Sequence, residues 1–286
     1  MQRPDACAQA PVIFAGLACL AARAGDSDAT PSAAASTIVA IDFIGTIVNS
    51  RFIPVRKPSI IARPATEQGS TKERAMPLPD PPLLLVTDRA QARRSLAEIV
   101  GAALTGGCRW ISLREKDLPD DEQVVLARML LPAARRHGAR LLLHGDARLA
   151  QLAGVDGVHL PSGGDAAAAR ALLGPQKLVG VSIHTVTEAE AIDPHAADYA
   201  LAGPAFETPS KPGYGPEIGR KGLAEIARAA RVPVLAIGGI NAARIGEVMA
   251  AGCAGVAVMG GVMRAADPGQ EVSALLATLQ GYPRAR

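Results

Sequence analysis

From Pro82 onward, short apolar runs alternate with longer stretches whose apolar residues fall at helical spacing. Residues 83–87 (LLLVT) come first. They are too few for a helix and suit a strand buried on both faces. Leu96, Ile99, Val100, Ala103 and Leu104 then recur at helical intervals and stop at Gly106-Gly107. Further strands are predicted over 109–113, 140–143, 156–160, 177–181 and 198–201. Helices are predicted from Pro119-Asp120 to His137-Gly138, on a face of Val124, Val125, Ala127, Leu130 and Leu131. Others follow over 147–153, 166–173, 185–192 and 221–230. Thr185 with Glu188 three residues on makes a capping box.

The stretch 232–263 closes the pattern. Val234-Leu235-Ala236-Ile237 is a strand, and Gly238-Gly239 a turn. Asn241 caps a helix carrying Ile245, Val248 and Met249, and 256–259 is a strand ending in Gly260-Gly261. A last helix covers 271–280. Strand and helix alternate eight times in about 200 residues, which reads as a (β/α)8 TIM barrel. An open doubly wound sheet is the alternative, but no GxGxxG turn follows the first strand.

Residues 1–80 break the pattern. They are rich in Ala, Ser, Thr and Pro, without a sustained period. The apolar run 10–22 is too short and mixed to span a membrane and lacks the charged start of a secretory signal. This segment is expected to be a non-globular, low-complexity extension, disordered or not part of the working protein, with Met76 as a plausible start. The barrel is expected over 81–286.

Charge adds exclusions. The net charge is +3, but residues 77–286 hold 22 Lys and Arg against 21 Asp and Glu, so the barrel has no basic footprint for nucleic acid. Aromatic residues make up only 3%, too few for a base-stacking platform. Cys7, Cys19, Cys108 and Cys253 show no metal-ligand spacing and fit a reducing compartment.

In such a barrel the C-terminal ends of the strands carry the chemistry. Two strands each ending in Gly-Gly ahead of a helix aim N–H groups and a helix dipole at one spot, as phosphate sites do. Glycine also lets the backbone approach a ligand with no Cβ in the way. At the second exit, Arg114 and Lys116 stand two apart and point the same way if the strand continues, an anion clamp with Glu115 between them. The fifth exit brings Ser182 and His184, and His184 is favoured as a general acid/base. His144, at the third exit, is its rival. His159 lies inside a strand and is read as structural. The loop 203–219 holds four prolines and four glycines. Its Thr208, Ser210 and Lys211 are placed to close over an anionic substrate.

Read in order, LLLVTDR, SLREKD, DGVHLPSG, GVSIHTVTEA, ADYALAGPAFETPSK, PVLAIGGIN and GVAVMGGV resemble the family of thiamine phosphate synthase and the TenI-type thiazole tautomerase. The resemblance runs from Pro82 to Gln280. It implies a TIM barrel that holds a thiazole phosphate at Gly238, Gly239, Met259 and Gly260. The synthase branch joins a pyrimidine diphosphate to a thiazole phosphate and expels pyrophosphate with Mg2+. Its acids hold the metal, from an Asn-Asp at the third exit and a Gln-acid-Asp at the fourth. Here those places read His144-Gly145 and Ser162-Gly163-Gly164, with Ser112 where the synthase carries a Gln. Asp146 and Asp165 lie one residue further on, and a one-residue shift on a strand turns a side chain to the other face.

The TenI branch is similar at Leu160-Pro161-Ser162-Gly163 and Phe206-Glu207-Thr208, and needs no metal. The expected activity is therefore an isomerase, a thiazole tautomerase acting on a carboxy-thiazole phosphate. His184 would move the proton, and Arg114, Lys116, His144, Ser182, Thr208, Ser210 and Lys211 would bind substrate, with no metal ligand and no cofactor. The alternative is thiamine phosphate synthase with Mg2+, for which Arg114, Lys116, Ser210 and Lys211 keep the diphosphate contacts. A third reading is a non-catalytic protein binding a thiazole or thiamine phosphate. Gly260 replaces a Ser common to both branches, a loss of one hydrogen bond on the order of 1 kcal/mol. The expected partner is a small phosphorylated thiazole in the cytoplasm, with neither nucleic acid nor membrane. A homo-oligomer is left open.

Overall fold

Eight short strands pair side by side in chain order, all parallel, and the last returns to the first. They are β1 (Leu83–Val86), β2 (Trp110–Leu113), β3 (Arg140–His144), β4 (Gly157–Leu160), β5 (Leu178–Ile183), β6 (Tyr199–Ala202), β7 (Val234–Ile237) and β8 (Gly255–Val258). The helices are α1 (Leu96–Thr105), α2 (Asp120–Arg136), α3 (Ala147–Ala153), α4 (Ala166–Leu173), α5 (Val186–Glu190), α6 (Gly219–Ala229), α7 (Ala242–Ala250), α8 (Gly260–Met263) and α9 (Pro268–Leu279). A 3-10 turn, Arg89–Gln91, follows β1. This computed structural model describes residues 77–208 and 217–282, so the extension expected over 1–80 lies outside the described residues up to 76. The expected (β/α)8 barrel is found. Among the described residues, no helix is long and apolar enough to cross a membrane.

Alternation along each strand sorts its side chains. One set (Leu84, Val86, Trp110, Leu142, Leu178, Tyr199, Leu201, Leu235 and Ala257) fills the barrel interior. The other set, with Leu83, Leu85, Ile111, Leu141, Val158 and Val256 among it, packs under the helices. Most helices start at a side-chain cap. Ser95 with Glu98 and Thr185 with Glu188 form capping boxes, and Asp146, Asp165, Asn241 and Asp267 each cap a helix N-terminus. Helix α2 buries Val124, Ala127, Leu130, Leu131 and Ala134 as its period dictates. Val125, expected on that face, is 64% exposed, because it lies one position round the helix from the stripe.

The two rims of the barrel differ in chemistry. At the N-terminal rim, carboxylates tie backbone to backbone. Asp156 accepts from the Leu141 N–H at 3.0 Å, and Asp198 from the Val179 N–H at 2.7 Å, while Arg170 donates to Asp198 at 2.6 Å. Those bonds hold the strands in register. At the C-terminal rim the side chains line a cavity.

Candidate active site

The cavity, about 640 Å³, opens at the C-terminal rim and draws on the ends or exits of all eight strands, the first through Val86. Arg114 and Lys116 line one wall. Glu115, between them, is turned the opposite way by strand alternation and is 2% exposed. Its Oε1 accepts from Thr87 Oγ1 at 2.6 Å, and its Oε2 from the Arg89 N–H at 2.9 Å. The Arg114 N–H in turn donates to Thr87 Oγ1 at 2.9 Å. Burial raises the pKa of Glu115, opposed by these hydrogen bonds. The acid that the sequence sets amid the clamp is therefore a brace behind it. Burial, and then the neighbouring Arg114 charge, lower the pKa of Lys116.

His144 and Ser182 reach the cavity from β3 and β5. Beneath them lies a polar column centred on His159, which was expected to be structural. His159 Nε2 meets Ser182 Oγ at 2.9 Å, and its Nδ1 meets the Tyr199 hydroxyl at 3.0 Å. The His144 ring lies 4.9 Å from that of His159. The level is set by register, since His159 stands beside Gly180 and Gly180 beside Tyr199. A Cβ on Gly180 would sit 2.1 Å from Tyr199 Cζ, so glycine is what lets the Tyr199 ring cross to His159. His159 thus orients a cavity hydroxyl from below. Among the described residues, Ser112 Oγ and Trp110 Nε1 are buried without a hydrogen-bond partner.

Burial pushes His159 down to about 3 from its ordinary 6.5. Between those values the unfolded chain takes up a proton that the native chain does not. Stability is thus fully present above pH 6.5 and is lost as pH falls toward 3. Each unit is 1.36 kcal/mol, so the loss reaches about 2–3 kcal/mol by pH 4.5. Urea unfolding at pH 7 and 4.5 will show the parent losing about that much more stability than His159→Asn over the interval. Parallel pH profiles would sink the assignment.

His184 follows β5 and lines the cavity. Glu188 Oε2 lies 3.5 Å from His184 Nδ1 and also accepts from the backbone N–H groups of His184 and Thr185. Ser162 of the fourth exit donates to Glu188 Oε1 at 2.7 Å. Burial acts to raise the pKa of Glu188, but these hydrogen bonds and the His184 charge bring it below its ordinary value. The carboxylate facing Nδ1 leaves Nε2 for the cavity.

Gly238, Gly239, Met259 and Gly260 also line the cavity. The two glycine pairs differ. Gly238 and Gly239 have φ of +101° and +66°, and a Cβ on Gly239 would lie 2.5 Å from the Glu207 carbonyl oxygen. Loop six occupies that space, with the Phe206 N–H donating to the Gly238 carbonyl at 3.1 Å. Gly260 and Gly261 form no turn. They open α8 at ordinary φ, with Met259 at its N-cap. Thr208 lines the cavity, whereas Ser210 and Lys211 lie outside the described residues.

Two cations at the cavity were not anticipated. Arg244, in the first turn of α7, lies 4.2 Å over the Phe206 ring. Arg264, which ends α8, donates to Gln91 Oε1, and Gln91 Nε2 is held by Asp88 at 2.6 Å. Neither sits at a strand end.

The carboxylates that would hold Mg2+ do not assemble. Asp146 caps α3 and pairs with Arg148 at 2.7 Å, and Asp165 caps α4 through the Ala168 N–H at 2.9 Å. The hydrogen bonds from Arg148, despite some burial, hold Asp146 below its ordinary pKa. Gly145 and Gly163, where acids were expected, have φ of +119° and +74°, backbone that L side chains rarely adopt. Among the described residues, no group of three or more His, Cys, Asp or Glu is placed to hold a metal ion. The residues present do not fit the metal set that the resemblance implies.

The family model and the relatives most similar in sequence carry one name. The family model described as thiamine monophosphate synthase matches residues 83–262. A putative thiamine-phosphate synthase of Geobacter sulfurreducens is 45% identical over 206 residues, 71% of this chain and 96% of that protein. A thiamine-phosphate synthase of a Roseiflexus species is 43% identical over 68% of this chain and 84% of its own length. Among solved structures, thiamine phosphate pyrophosphorylase from Pyrococcus furiosus superposes with a TM-score of 0.63 at 30% identity, over 70% of this chain and 95% of that one. These names overturn the expected tautomerase. That choice rested on the Leu160-Pro161-Ser162-Gly163 and Phe206-Glu207-Thr208 runs and above all on glycines at two exits, and missing acids bear on how a metal is held rather than on which bond is made.

Proposed function

We propose a transferase activity for this chain, which belongs to the thiamine monophosphate synthase family. It joins a pyrimidine diphosphate to a thiazole phosphate, forming thiamine phosphate and releasing pyrophosphate. The observation that carries the reading is a single cavity with Arg114 and Lys116 on one wall and the Gly238-Gly239 turn with Arg244 on the other. Such a cavity has room for two anionic groups at opposite ends, and a joining reaction needs both bound at once.

In this step the carbon–oxygen bond to the diphosphate breaks, its electron pair leaves with pyrophosphate, and the lone pair of the thiazole ring nitrogen forms the new carbon–nitrogen bond, leaving a thiazolium. No proton moves between carbons, so His184 is relieved of the acid/base role and becomes a contact for the polar substrate edge. Arg114 and Lys116 stabilise the charge that grows on the leaving oxygen. Ser182, oriented by His159, and His144 contact the pyrimidine end, while Gly238, Gly239, Met259, Gly260 and Thr208 border the thiazole phosphate. Ser210 and Lys211 belong to the same proposal from the sequence alone. The test supplies both substrates and Mg2+ to the full chain. Thiamine phosphate and pyrophosphate in equal amounts are expected, and no product at saturating substrates would refute the reading.

A further inference from the structure

The positive side chains of the cavity are unevenly placed. In the closed barrel β8 neighbours β1, and β1 neighbours β2. Arg264 follows β8, its partner Gln91 follows β1, and Arg114 and Lys116 follow β2. Three cations thus share one contiguous part of the rim and one cavity. Three of the acids near them are engaged elsewhere. Glu115 is buried against Thr87, Asp88 holds Gln91, and Asp117 pairs with Arg89 at 2.5 Å. The third and fourth exits, where the acids of the resembling synthases hold the metal, carry glycines in left-handed backbone and two aspartates spent on helix caps.

We infer that this chain holds pyrophosphate directly through Arg114, Lys116 and Arg264, without a carboxylate-held divalent cation. The inference rests on the synthase reading for the identity of the anion. Guanidinium groups suit it, because their planar fork bonds two phosphate oxygens at once and stays charged at every working pH. Arg264 donates to Gln91, which in turn donates to Asp88, and this chain fixes the approach of Arg264, so little freedom is left to lose on binding.

The experiment is calorimetric titration of inorganic pyrophosphate into the full chain, once in EDTA and once in excess Mg2+. Binding in EDTA is expected, with Mg2+ changing the affinity by less than about threefold. Arg264→Gln is expected to weaken it roughly tenfold or more, the usual worth of a charge-assisted contact, and Arg264→Lys to recover part of the loss. Lys at this position also guards against a folding defect in the Gln variant. Binding that requires Mg2+, or is tightened tenfold by it, would overturn the inference. So would an Arg264→Gln variant that folds and binds as the parent does. Thiamine phosphate formation in Mg2+ is scored separately. Product with metal-dependent pyrophosphate binding removes this inference and keeps the synthase. Metal-free pyrophosphate binding without product removes the synthase and keeps the anion site.

Discussion

Arg114→Met will lower kcat/KM for thiamine phosphate formation by about 10²- to 10³-fold, the loss found when one preorganised group facing a developing oxyanion is removed. The fall will be mainly in kcat. Bound diphosphate already carries charge, but more gathers on the bridging oxygen as the carbon leaves, and only interactions that strengthen there accelerate the step. The substitution is clean because the backbone of Arg114 is held independently of its side chain, by Thr87 Oγ1 at 2.9 Å with Glu115 behind. Met keeps the length and apolar stem, so Tm should stay near the parent's. Arg114→Lys keeps a charge but not the fork, and should fall between the two. Steady-state rates with each substrate varied will check this. A kcat/KM for Arg114→Met within threefold of the parent would remove Arg114 from the chemistry.

The barrel was legible because each signal was local. Four-residue apolar runs, the Thr185 and Glu188 capping box, and glycines at helix ends each report on a few neighbouring residues. The rim positions of Arg114, Lys116, His144, Ser182 and His184 followed once strand ends were counted. What failed needed information across strands. His159 looks like any buried strand histidine until its register with Gly180 and Tyr199 is known, and only then does its bond to Ser182 make it the floor of the site. Arg244 and Arg264 arrive from within or after helices, and their aim depends on Phe206 and Gln91, distant in the chain.

The departures from the family pattern also carried different weights than the sequence suggested. Gly145 and Gly163 argued for another branch of chemistry. In the folded chain they instead describe a rim on which α3 and α4 are capped by Asp146 and Asp165, and cationic charge is gathered on the adjoining arc from β8 through β1 to β2. The same bond can be broken from either arrangement, provided that the charge on the leaving group is met.

Gly239→Val will show how far one glycine serves both fold and site. A left-handed backbone costs an L residue roughly 1–2 kcal/mol, and forcing a side chain into filled space costs about 1–3 kcal/mol more. Both apply here, since φ is +66° and the new Cβ would lie 2.5 Å from the Glu207 carbonyl oxygen and 2.8 Å from Phe206 Cβ. A loss of about 2–5 kcal/mol lowers Tm by roughly 5–15 °C in a barrel of this size. If loop six yields instead, the bonds from the Ala205 N–H to Ile237 and from the Phe206 N–H to Gly238 break, and Phe206 moves from beneath Arg244. Affinity for the thiazole phosphate then falls with little change in Tm. Gly261→Ala is the control. Its φ is ordinary and its Cβ meets nothing nearer than Glu271 Oε1 at 4.0 Å, so Tm should hold or rise slightly as the helix gains from alanine. Thermal unfolding together with calorimetric binding of the thiazole phosphate separates these outcomes. A Gly239→Val chain that melts with the parent and binds the phosphate equally well would show that the first glycine pair is neither required by loop six nor part of the site.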